Sequence, residues 1–294
     1  MRYLFSALSA IISTEKRNMT SAKVWFITGA ARGFGRVWAE AALRRGDKVA
    51  ATARDITSLE ELAAAHGNAI LVLPLDVADR GAVFEAVGNA HRHFGRLDVV
   101  VSNAGYGYFG AIEEIEPEQA KANFETNVFG TLWLMQATLP ILRAQASGHI
   151  ITVSSIGGVI GFPTGGTYTA TKFAVEAISE GLAGEVAAFG IKVTILEPGH
   201  FTTGFGSSAR SAPAIDIYNP IRQAIRASFK PEDFGDPEAT SAALFQAVDA
   251  DQPPLRLALG TGTIVKFKSV YEARLKNWGE WEAVTYAAQG RPDA

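Results

Sequence analysis

The stretch KVWFITGAARGFG, residues 23–35, decides the fold. Its first half is a short apolar run, which is typical of a buried parallel strand. The glycines that follow lead into a helical pattern with apolar side chains at Val37, Trp38, Ala41, Ala42 and Leu43. Strand, glycine-rich turn and helix form the context of a dinucleotide-binding turn, because glycines let the backbone approach a pyrophosphate and the helix N-terminus meets its charge. The spacing is G-x-x-x-G-x-G instead of the commonest G-x-G-x-x-G, so the turn needs support from the rest of the chain.

Further along, short apolar runs alternate with helical patterns. Strands are predicted at 48–53, 69–73, 97–101, 149–153 and 191–196, and helices at 57–66, 80–94, 117–142 and 168–189. This alternation predicts an α/β fold, namely a single-domain, Rossmann-type doubly wound parallel sheet with helices on both faces. The sequence contains no internal repeat and no interdomain linker.

The end of the second predicted strand bears on the choice of cofactor. Sites that prefer NAD usually place an acidic residue there to bind the adenosine ribose, whereas here an alanine is followed by Arg54. A guanidinium suits a 2′-phosphate, and Arg32 in the glycine turn can approach the same phosphate. We therefore predict NADP(H) as the preferred cofactor over NAD(H). In the alternative interpretation, Arg54 is a surface residue paired with Asp55 or Glu60.

Composition excludes several classes of function. Of the 294 residues, 48% are hydrophobic and 19% are charged, as is ordinary for a soluble globular protein, and we expect a cytoplasmic location. The net charge of −3 gives no electrostatic case for nucleic acid. The absence of cysteine excludes disulfides, thiolate metal sites and cysteine nucleophiles, and the five histidines are not grouped as zinc ligands. No metal is therefore predicted.

Residues 1–18, MRYLFSALSAIISTEKRN, do not resemble the sequence that follows. The apolar run at 3–12 is too short to span a bilayer. Because Arg2 precedes it, a weak secretory signal stays open as an alternative, as does a role at a membrane surface. We interpret the segment as an upstream start or a loose N-terminal extension, since Met19 leads straight into the first strand. The predicted domain then spans residues 19–294.

A second stretch, SSIGGVIGFPTGGTYTATK at 154–172, carries candidate chemistry. Tyr168 and Lys172 are four residues apart, so a helix places both on one face. A tyrosine titrates near pH 10, and an adjacent ammonium favours the phenolate, which predicts a lowered pKa for Tyr168. Ser155 can return to the same place if the intervening residues form a loop. The Y-x-x-x-K pair alone arises by chance in many helices. Asn127 is a further candidate, or else a helical polar residue bonded to a neighbouring carbonyl.

These motifs share the order and spacing of the short-chain dehydrogenase/reductase family over roughly residues 22–204. The matching elements are TGAARGFG (28–35), Asp76, NAG (103–105), Asn127, Ser155, YTATK (168–172) and PGHFTT (198–203). The chain is similar to this family throughout that range. AGYGYFG (104–110) and PLRLALG (254–260) resemble the branch that contains 17β-hydroxysteroid and retinol dehydrogenases.

The resemblance implies a catalytic role for four residues. Tyr168 resembles the general acid of carbonyl reduction and the base of alcohol oxidation. Lys172 resembles the residue that lowers the pKa of that tyrosine and binds the nicotinamide ribose. Ser155 would bind the substrate oxygen, and Asn127 would support a water that links Lys172 to solvent.

The resemblance also implies a set of cofactor contacts, in which Asp76 and Val77 touch the adenine and Thr203 holds the nicotinamide carboxamide. Ser102 stands where the family has a first asparagine, and we expect no loss, because backbone near Asn103 does most of the binding. The full set is Gly29, Arg32, Gly33, Phe34, Gly35, Arg54, Asp76, Val77, Asn103, Ala104, Gly105, Tyr168, Lys172, Pro198, Gly199, Phe201 and Thr203.

By the same resemblance, residues 200–235 form a substrate loop and lid. Ser155, Tyr106, Phe162 and Phe205 are the candidate substrate contacts. Other apolar side chains either line a pocket or pack elsewhere, namely Tyr108, Ile215, Ile217, Tyr218 and Ile221. Such a pocket suits a bulky, apolar ketone, aldehyde or alcohol, for instance a steroid-like, retinoid-like or aromatic one.

The sequence therefore predicts an NADP(H)-dependent oxidoreductase that interconverts a carbonyl and an alcohol. The alternative is a non-catalytic NADP(H)-binding sensor or interaction protein on the same fold. By resemblance, a homodimer or homotetramer would form through the long helices that follow Pro117 and Tyr168. The tail, residues 262–294, carries Trp278 and Trp281 as a cover for the site or as a subunit contact.

Overall fold

A computed structural model of the chain describes residues 22–290, so the predicted extension at 1–18 lies outside the described residues. Within this range the strands are β1 (Val24–Ile27), β2 (Lys48–Ala53), β3 (Ile70–Pro74), β4 (Val99–Ser102), β5 (Tyr108–Phe109), β6 (Gly148–Val153), β7 (Ile191–Pro198), β8 (Arg210–Ser211) and β9 (Arg256–Leu259).

The helices alternate with these strands. They are α1 (Gly33–Arg44), α2 (Glu60–His66), α3 (Arg80–Phe94), α4 (Pro117–Phe124), α5 (Gly130–Gln145), α6 (Gly166–Val186), α7 (Phe205–Ser208), α8 (Asn219–Ser228), α9 (Thr240–Asp249), α10 (Thr263–Glu280) and α11 (Glu282–Ala287). Within residues 22–290, no helix has the length and apolar character needed to cross a membrane.

Seven strands form one parallel sheet in the order β3-β2-β1-β4-β6-β7-β9. The chain starts in the middle, at β1, builds outward to β3, and then returns to build the other half from β4. This confirms the predicted doubly wound fold. The order reverses between β1 and β4, and in such sheets ligands bind in the crevice at the carboxyl ends of the strands at that point.

The central strands of the sheet are buried on both faces, and successive side chains point into opposite cores. On β1, Trp25 and Ile27 pack into one core with Trp38 of α1, while Phe26 packs into a second core on the opposite face with Val87 of α3. Full burial of one such side chain stabilises the fold by about 1.5–3 kcal/mol. The two cores fix the sheet between its two helical layers and so hold the strand ends in place.

Two features of the backbone differ from the sequence prediction. The helical region predicted at 117–142 is divided by a π-helical segment, Glu125–Phe129, which contains Asn127. The sheet also has an edge strand, β9, that was not predicted. A second, two-stranded sheet pairs β5 with β8 and ties the predicted lid to the rest of the domain. A single bridge between Phe201 and Gly235 joins the two ends of the lid to each other.

Candidate active site

The glycine turn lies at the crevice, between β1 and α1. Gly29 and Gly33 have φ values of +68° and +58°, in the left-handed region that favours glycine. A Cβ on Gly35 would overlap the carbonyl oxygen of Gly29 and lie 2.6 Å from Nδ2 of Asn103. The turn therefore requires glycine at these positions, because of the backbone conformation at Gly29 and Gly33 and because of the close packing at Gly35.

Asn103, which follows β4, braces this turn through its side chain. Its Nδ2 donates to the carbonyl oxygens of Thr28 (2.9 Å) and Gly29 (3.1 Å), and Thr28 Oγ1 accepts from the backbone N–H groups of Asn103 and Ala104. Ser102, the departure from the family pattern, is buried with its Oγ 2.9 Å from Oγ1 of Thr131. The serine thus makes a polar contact of its own.

The first turn of α1 suits a phosphate. It contains no acidic residue, and the N-cap residue, Arg32, makes no side-chain cap. The free backbone N–H groups at the start of α1 and the helix dipole therefore favour an anion there. Thr203 approaches the same turn, since a Cβ on Gly33 would lie 3.5 Å from Cβ of Thr203. Phe201 packs edge-on against Phe34, with ring centroids 5.3 Å apart.

Arg32 and Arg54 are both exposed beside this turn. Within residues 22–290, neither guanidinium forms an ion pair with a carboxylate. Asp55, the partner in the alternative interpretation, instead accepts from the backbone N–H and the hydroxyl of Thr57, at 3.0 and 2.7 Å. Both arginines are thus available to an anionic ligand.

Asp76 and Val77, the predicted adenine contacts, follow β3. The exposed Asp76 carboxylate accepts from the backbone N–H of Ala78 at 3.0 Å, and Val77 is buried. A Cβ on Gly130 would lie 2.8 Å from Cγ2 of Val77, so α5 approaches this side chain closely.

The loop after β6 brings Ser155 back to Tyr168. Ser155 Oγ accepts from the backbone N–H of Gly157 at 3.0 Å, which fixes the start of the loop. The next turn passes so near α6 that a Cβ on Gly157 would lie 3.4 Å from Cε1 of Tyr168. The structure thereby brings together the serine and the tyrosine that the sequence separates by thirteen residues.

Tyr168 and Lys172 share one face of α6, and both are buried. The Lys172 Nζ lies 5.9 Å from the Tyr168 ring centroid and donates to the carbonyl oxygen of Val153 at 2.8 Å. Burial raises the pKa of Tyr168 to about 12, and the Ser155 hydroxyl lowers it in part. Burial lowers the pKa of Lys172 to about 8. The prediction of a lowered pKa for Tyr168 differs from the structure because desolvation of the phenolate dominates.

Asn127 lies next to this pair, in the π-helical segment. Its Nδ2 donates to the carbonyl oxygen of Tyr106 and to Oγ1 of Thr171, and its Oδ1 accepts from the backbone N–H of Tyr106, all at 3.0 Å. A Cβ on Gly105 would lie 3.0 Å from Asn127 Oδ1 and 3.7 Å from Lys172 Nζ. Asn127 is therefore bonded to a neighbouring carbonyl, as the alternative interpretation expected, and lies close to Lys172.

Comparison with known proteins agrees with this geometry. A family model described as short chain dehydrogenase matches residues 23–214. The chain belongs to the short-chain dehydrogenase family. Its members are oxidoreductases, and so is this chain.

Similar dehydrogenases cover almost the whole chain. Oxidoreductase BOA17 of Botryotinia fuckeliana is 40% identical, over 88% of this chain and 97% of its own. The 3-ketodihydrosphingosine reductase of Bacteroides thetaiotaomicron is 34% identical, over 90% and 96%. The crystal structure of a short-chain dehydrogenase from Streptomyces avermitilis superimposes with a TM-score of 0.85 at 40% identity, covering 92% of this chain and 99% of that chain.

Solved short-chain dehydrogenases of this fold hold either nicotinamide cofactor. An alcohol dehydrogenase from Thermococcus sibiricus is complexed with 5-hydroxy-NADP (TM-score 0.68, 29% identity, 82% of this chain and 97% of that chain). A 3-ketoacyl-(acyl-carrier-protein) reductase from Brucella melitensis is complexed with NADH (TM-score 0.71, 27% identity, 82% and 98%). Similarity to these structures therefore does not decide between NAD(H) and NADP(H), and the arginines described above bear on that question.

On the substrate side, the dehydrogenase places two aromatic rings on Tyr168. The rings of Phe109 and Phe205 have centroids 5.4 and 5.5 Å from that of Tyr168. Phe205 was predicted, whereas Phe109 was missed in favour of Tyr108, which is buried with its hydroxyl accepting from the backbone N–H of Glu116. Consecutive residues of a strand face opposite ways, so Phe109 lies on the face of β5 opposite to Tyr108.

The other residues that were predicted to line the pocket lie in different parts of the structure. Phe162 lies near the catalytic loop, its Cε1 3.4 Å from a Cβ built on Gly157. Tyr106 is covered by the guanidinium of Arg210, 5.0 Å from its ring centroid. The remaining candidates lie at the surface of the dehydrogenase in this conformation, namely Ile215, Ile217, Tyr218 and Ile221.

A cavity of about 450 Å³ extends from the catalytic loop of the dehydrogenase toward the lid and α10. Ile156 and Gly199 line its inner end, and His200 and Lys266 line it further out. The backbone N–H of Gly199 donates to the carbonyl oxygen of Leu259 at 2.9 Å, so β9 fixes this wall. His200 and Lys266 were missed because they contribute to the cavity only through tertiary contacts.

Proposed function

We propose that this chain is an NADP(H)-dependent oxidoreductase that interconverts a ketone or aldehyde and an alcohol, with Tyr168 as the general acid and base. The observation that carries the proposal is the convergence of Ser155, Tyr168 and Lys172 at the carboxyl edge of the sheet, beside the glycine turn. A non-catalytic nucleotide sensor has no use for such a group of proton-bearing side chains.

The residues present fit a nicotinamide dinucleotide. The glycine turn and α1 would hold the pyrophosphate, Asp76 and Val77 the adenine, and Thr203 the carboxamide. When bound, the nicotinamide donates or accepts the hydride. The protein must then place the substrate carbon, hold its oxygen and move one proton.

In reduction, Tyr168 donates its phenolic proton to the substrate oxygen while the Ser155 hydroxyl donates a hydrogen bond to the same oxygen. Because the pKa of Tyr168 is about 12, the phenol holds its proton at neutral pH and is present in the form that can donate it. The Lys172 ammonium stabilises the phenolate that forms. In oxidation the same atoms work in reverse.

The exposed arginines support NADP(H). Arg32 and Arg54 flank the turn without an acidic partner within the described residues, and Ala53 stands where NAD-preferring sites carry an acid. A guanidinium binds a phosphate by charge-assisted, bidentate hydrogen bonds, whereas two ribose hydroxyls give it little to bind.

Aromatic side chains support an apolar substrate. Phe109 and Phe205 flank Tyr168, and Phe162 lies at the loop that presents Ser155. A relative named 3-ketodihydrosphingosine reductase acts, by its name, on a ketone that carries a long alkyl chain. We propose a bulky apolar carbonyl or alcohol, as the resemblance to the hydroxysteroid and retinol dehydrogenase branch also implies.

We also propose a homodimer or homotetramer of a single domain that spans residues 19–294, located in the cytoplasm. Phe129, which immediately precedes α5, and Phe173 on α6 are exposed aromatic side chains that such an assembly would cover.

The test is oxidation of NADPH and of NADH by the purified protein against a panel of carbonyl compounds: steroids, retinal, aromatic ketones, long-chain 3-keto amines and small aldehydes. We expect turnover with NADPH on a bulky apolar member of the panel. Turnover with NADH alone would contradict the cofactor assignment. Stoichiometric NADPH binding without turnover on any member would contradict the enzyme and favour the sensor.

A further inference from the structure

Glu176 is a buried carboxylate that the proposed reaction does not use. Tyr168, Lys172 and Glu176 are spaced four residues apart along α6 and so share one face of the helix. The Glu176 side chain is only 8% exposed. A carboxyl group thus lies one helical turn beyond Lys172, inside the protein, where a charge on it would be weakly screened.

Arg256, on β9, holds this carboxylate. Its Nε donates to Glu176 Oε2 at 3.1 Å, and its Nη2 donates to Glu180 Oε2 at 2.9 Å. The same Nε lies 3.6 Å from Oε1 of Glu197, a buried residue of β7. One guanidinium therefore serves three carboxylates, and it fixes the orientation of the buried Glu176.

The second oxygen of Glu176 faces the catalytic loop. A Cβ on Gly158 would lie 3.1 Å from Glu176 Oε1 and would overlap Oγ of Ser154, the neighbour of Ser155. The glycine leaves room for the serine and the glutamate to lie close together. From the helix that presents Lys172, the Glu176 side chain thus reaches the loop that presents Ser155.

Lys172 and Glu176 each lie among charged and polar groups from several elements. Lys172 faces Tyr168 and Glu176 on its own helix, the amide of Asn127, and the carbonyl of Val153 on β6. Burial lowers the pKa of Lys172, and Glu176 is the carboxylate that raises it.

Glu176 in turn faces Lys172 and Glu180 on α6, Ser154 after β6, Glu197 on β7 and Arg256 on β9. The pKa of Glu176 is raised above its usual value because burial is the largest influence on it, and the hydrogen bond to Ser154 and the charge of Arg256 offset that effect only in part.

We propose that Glu176 is a positioning residue: its carboxylate, kept ionised by Arg256, stabilises the ammonium form of Lys172. The inference rests on the proposed function only in assigning Lys172 a part in catalysis. The electrostatic link between the two side chains is a property of the folded chain and can be measured without turnover.

The experiment is an NMR titration of the full-length protein labelled with ¹³C at the lysine Cε, with the Lys172 signal assigned from Lys172→Arg. We expect the wild-type Lys172 to titrate near pH 8. In Glu176→Gln its pKa should fall by about one unit. Glu176→Asp keeps the charge and should titrate closer to the wild type. Glu180→Gln is the matched control, because it also loses a contact with Arg256 but lies two turns from Lys172, and its Lys172 should titrate as in the wild type.

An unchanged Lys172 titration in Glu176→Gln would overturn the proposal, as would an equal fall in Glu180→Gln. If Glu176→Gln does not fold, the wild-type protein labelled at the glutamate Cδ gives the answer: an ionised Glu176 at pH 7 supports the proposal and a protonated one overturns it. Given turnover, the alkaline limb of the reduction rate should move to lower pH in Glu176→Gln by the same amount. A wild-type protein that reduces no carbonyl would contradict the proposed function while leaving the titration result in place.

Discussion

Tyr168 and Lys172 are both buried, and burial moves their pKa values in opposite directions. The pKa of Tyr168 is raised to about 12 and the pKa of Lys172 is lowered to about 8, because the interior disfavours the charged form of each side chain. The proposed proton donor, Tyr168, is therefore protonated at neutral pH. Lys172, which we propose stabilises the phenolate, is the group of the two that titrates near neutral pH.

The reduction rate should consequently fall as pH rises through about 8, because Lys172 loses its ammonium form there while Tyr168 still holds its proton. Lys172→Arg is the matched variant, since a guanidinium stays charged. We expect it to be slower than the wild type and to lack the limb near pH 8. The measurement is kcat for reduction from pH 6 to 10, and the same limb in both proteins would assign it to another group.

Arg54 should decide between the cofactors. Arg54→Asp removes a charge-assisted contact to the 2′-phosphate, a bond of about 1.5–3 kcal/mol, and places a repulsive charge there. We expect the Kd of NADPH to rise by about tenfold to a hundredfold and the Kd of NADH to change little. Arg92→Asp, an exposed arginine on α3, controls for the change in net charge. Equal losses for both cofactors in Arg54→Asp would contradict a 2′-phosphate contact.

At the scale of elements, the glycine turn and the start of α1 depend on a glycine at 35. A Cβ there overlaps the carbonyl oxygen of Gly29 and crowds Asn103, so Gly35→Ala should shift the turn and destabilise the protein by about 1–3 kcal/mol. NADPH binding should weaken with it. Gly184→Ala on α6 is the control, because a Cβ there meets nothing within 4 Å and should stabilise the helix by about 0.5–1 kcal/mol. Thermal unfolding and NADPH titration measure both, and a Gly35→Ala protein as stable as the wild type would contradict the close packing.

The lid is held by a buried ion pair. The fully buried Glu114 side chain pairs with Arg222 of α8 and accepts from the backbone N–H groups of Ile215 and Ala111, both at 2.7 Å. The Arg222 hydrogen bond lowers the pKa of Glu114 to about 2. Because the folded pKa lies below the unfolded one, this contribution to stability is complete above about pH 4.5 and is lost as the pH falls toward 2.

Arg222→Met should therefore loosen α8 and the segment at 210–218 without touching the catalytic residues. We expect faster hydrogen exchange in this segment and a KM raised several-fold with kcat nearly unchanged. Arg226→Met, one turn along the same helix and exposed, is the control. Exchange rates in Arg222→Met that match those of Arg226→Met would show that the ion pair does not hold the lid.

At the scale of the whole molecule, the sheet could be predicted because parallel strands are buried on both faces and therefore read as continuous apolar runs. Strands such as 24–27 and 48–53 stand out for this reason. The edge strand β9 does not, since it is short, pairs with β7 alone and begins with Arg256. The π-helical segment at Asn127 could not be predicted either. It differs from the flanking α-helices in its side-chain hydrogen bonds, and its apolar residues have no distinct spacing.

The catalytic site was predictable to the extent that it lies on one helix and one loop. Tyr168 and Lys172 are fixed by helical spacing, and Ser155 by the loop that must return to them. Phe109 contacts Tyr168 and Lys266 lines the cavity only through tertiary contacts, and neither residue lies in a local pattern that indicates its position. The same holds for Arg256, whose effect on the site passes through Glu176.

The most direct test of the central claim compares the wild type with Tyr168→Phe, using the best carbonyl of the panel and NADPH. The substitution removes one oxygen and leaves the ring between Phe109 and Phe205, so the fold and NADPH binding should persist. We predict that kcat falls by about 10²- to 10⁴-fold while the Kd of NADPH stays within about twofold. A Tyr168→Phe protein that keeps most of its turnover would contradict the assignment of Tyr168 as the proton donor.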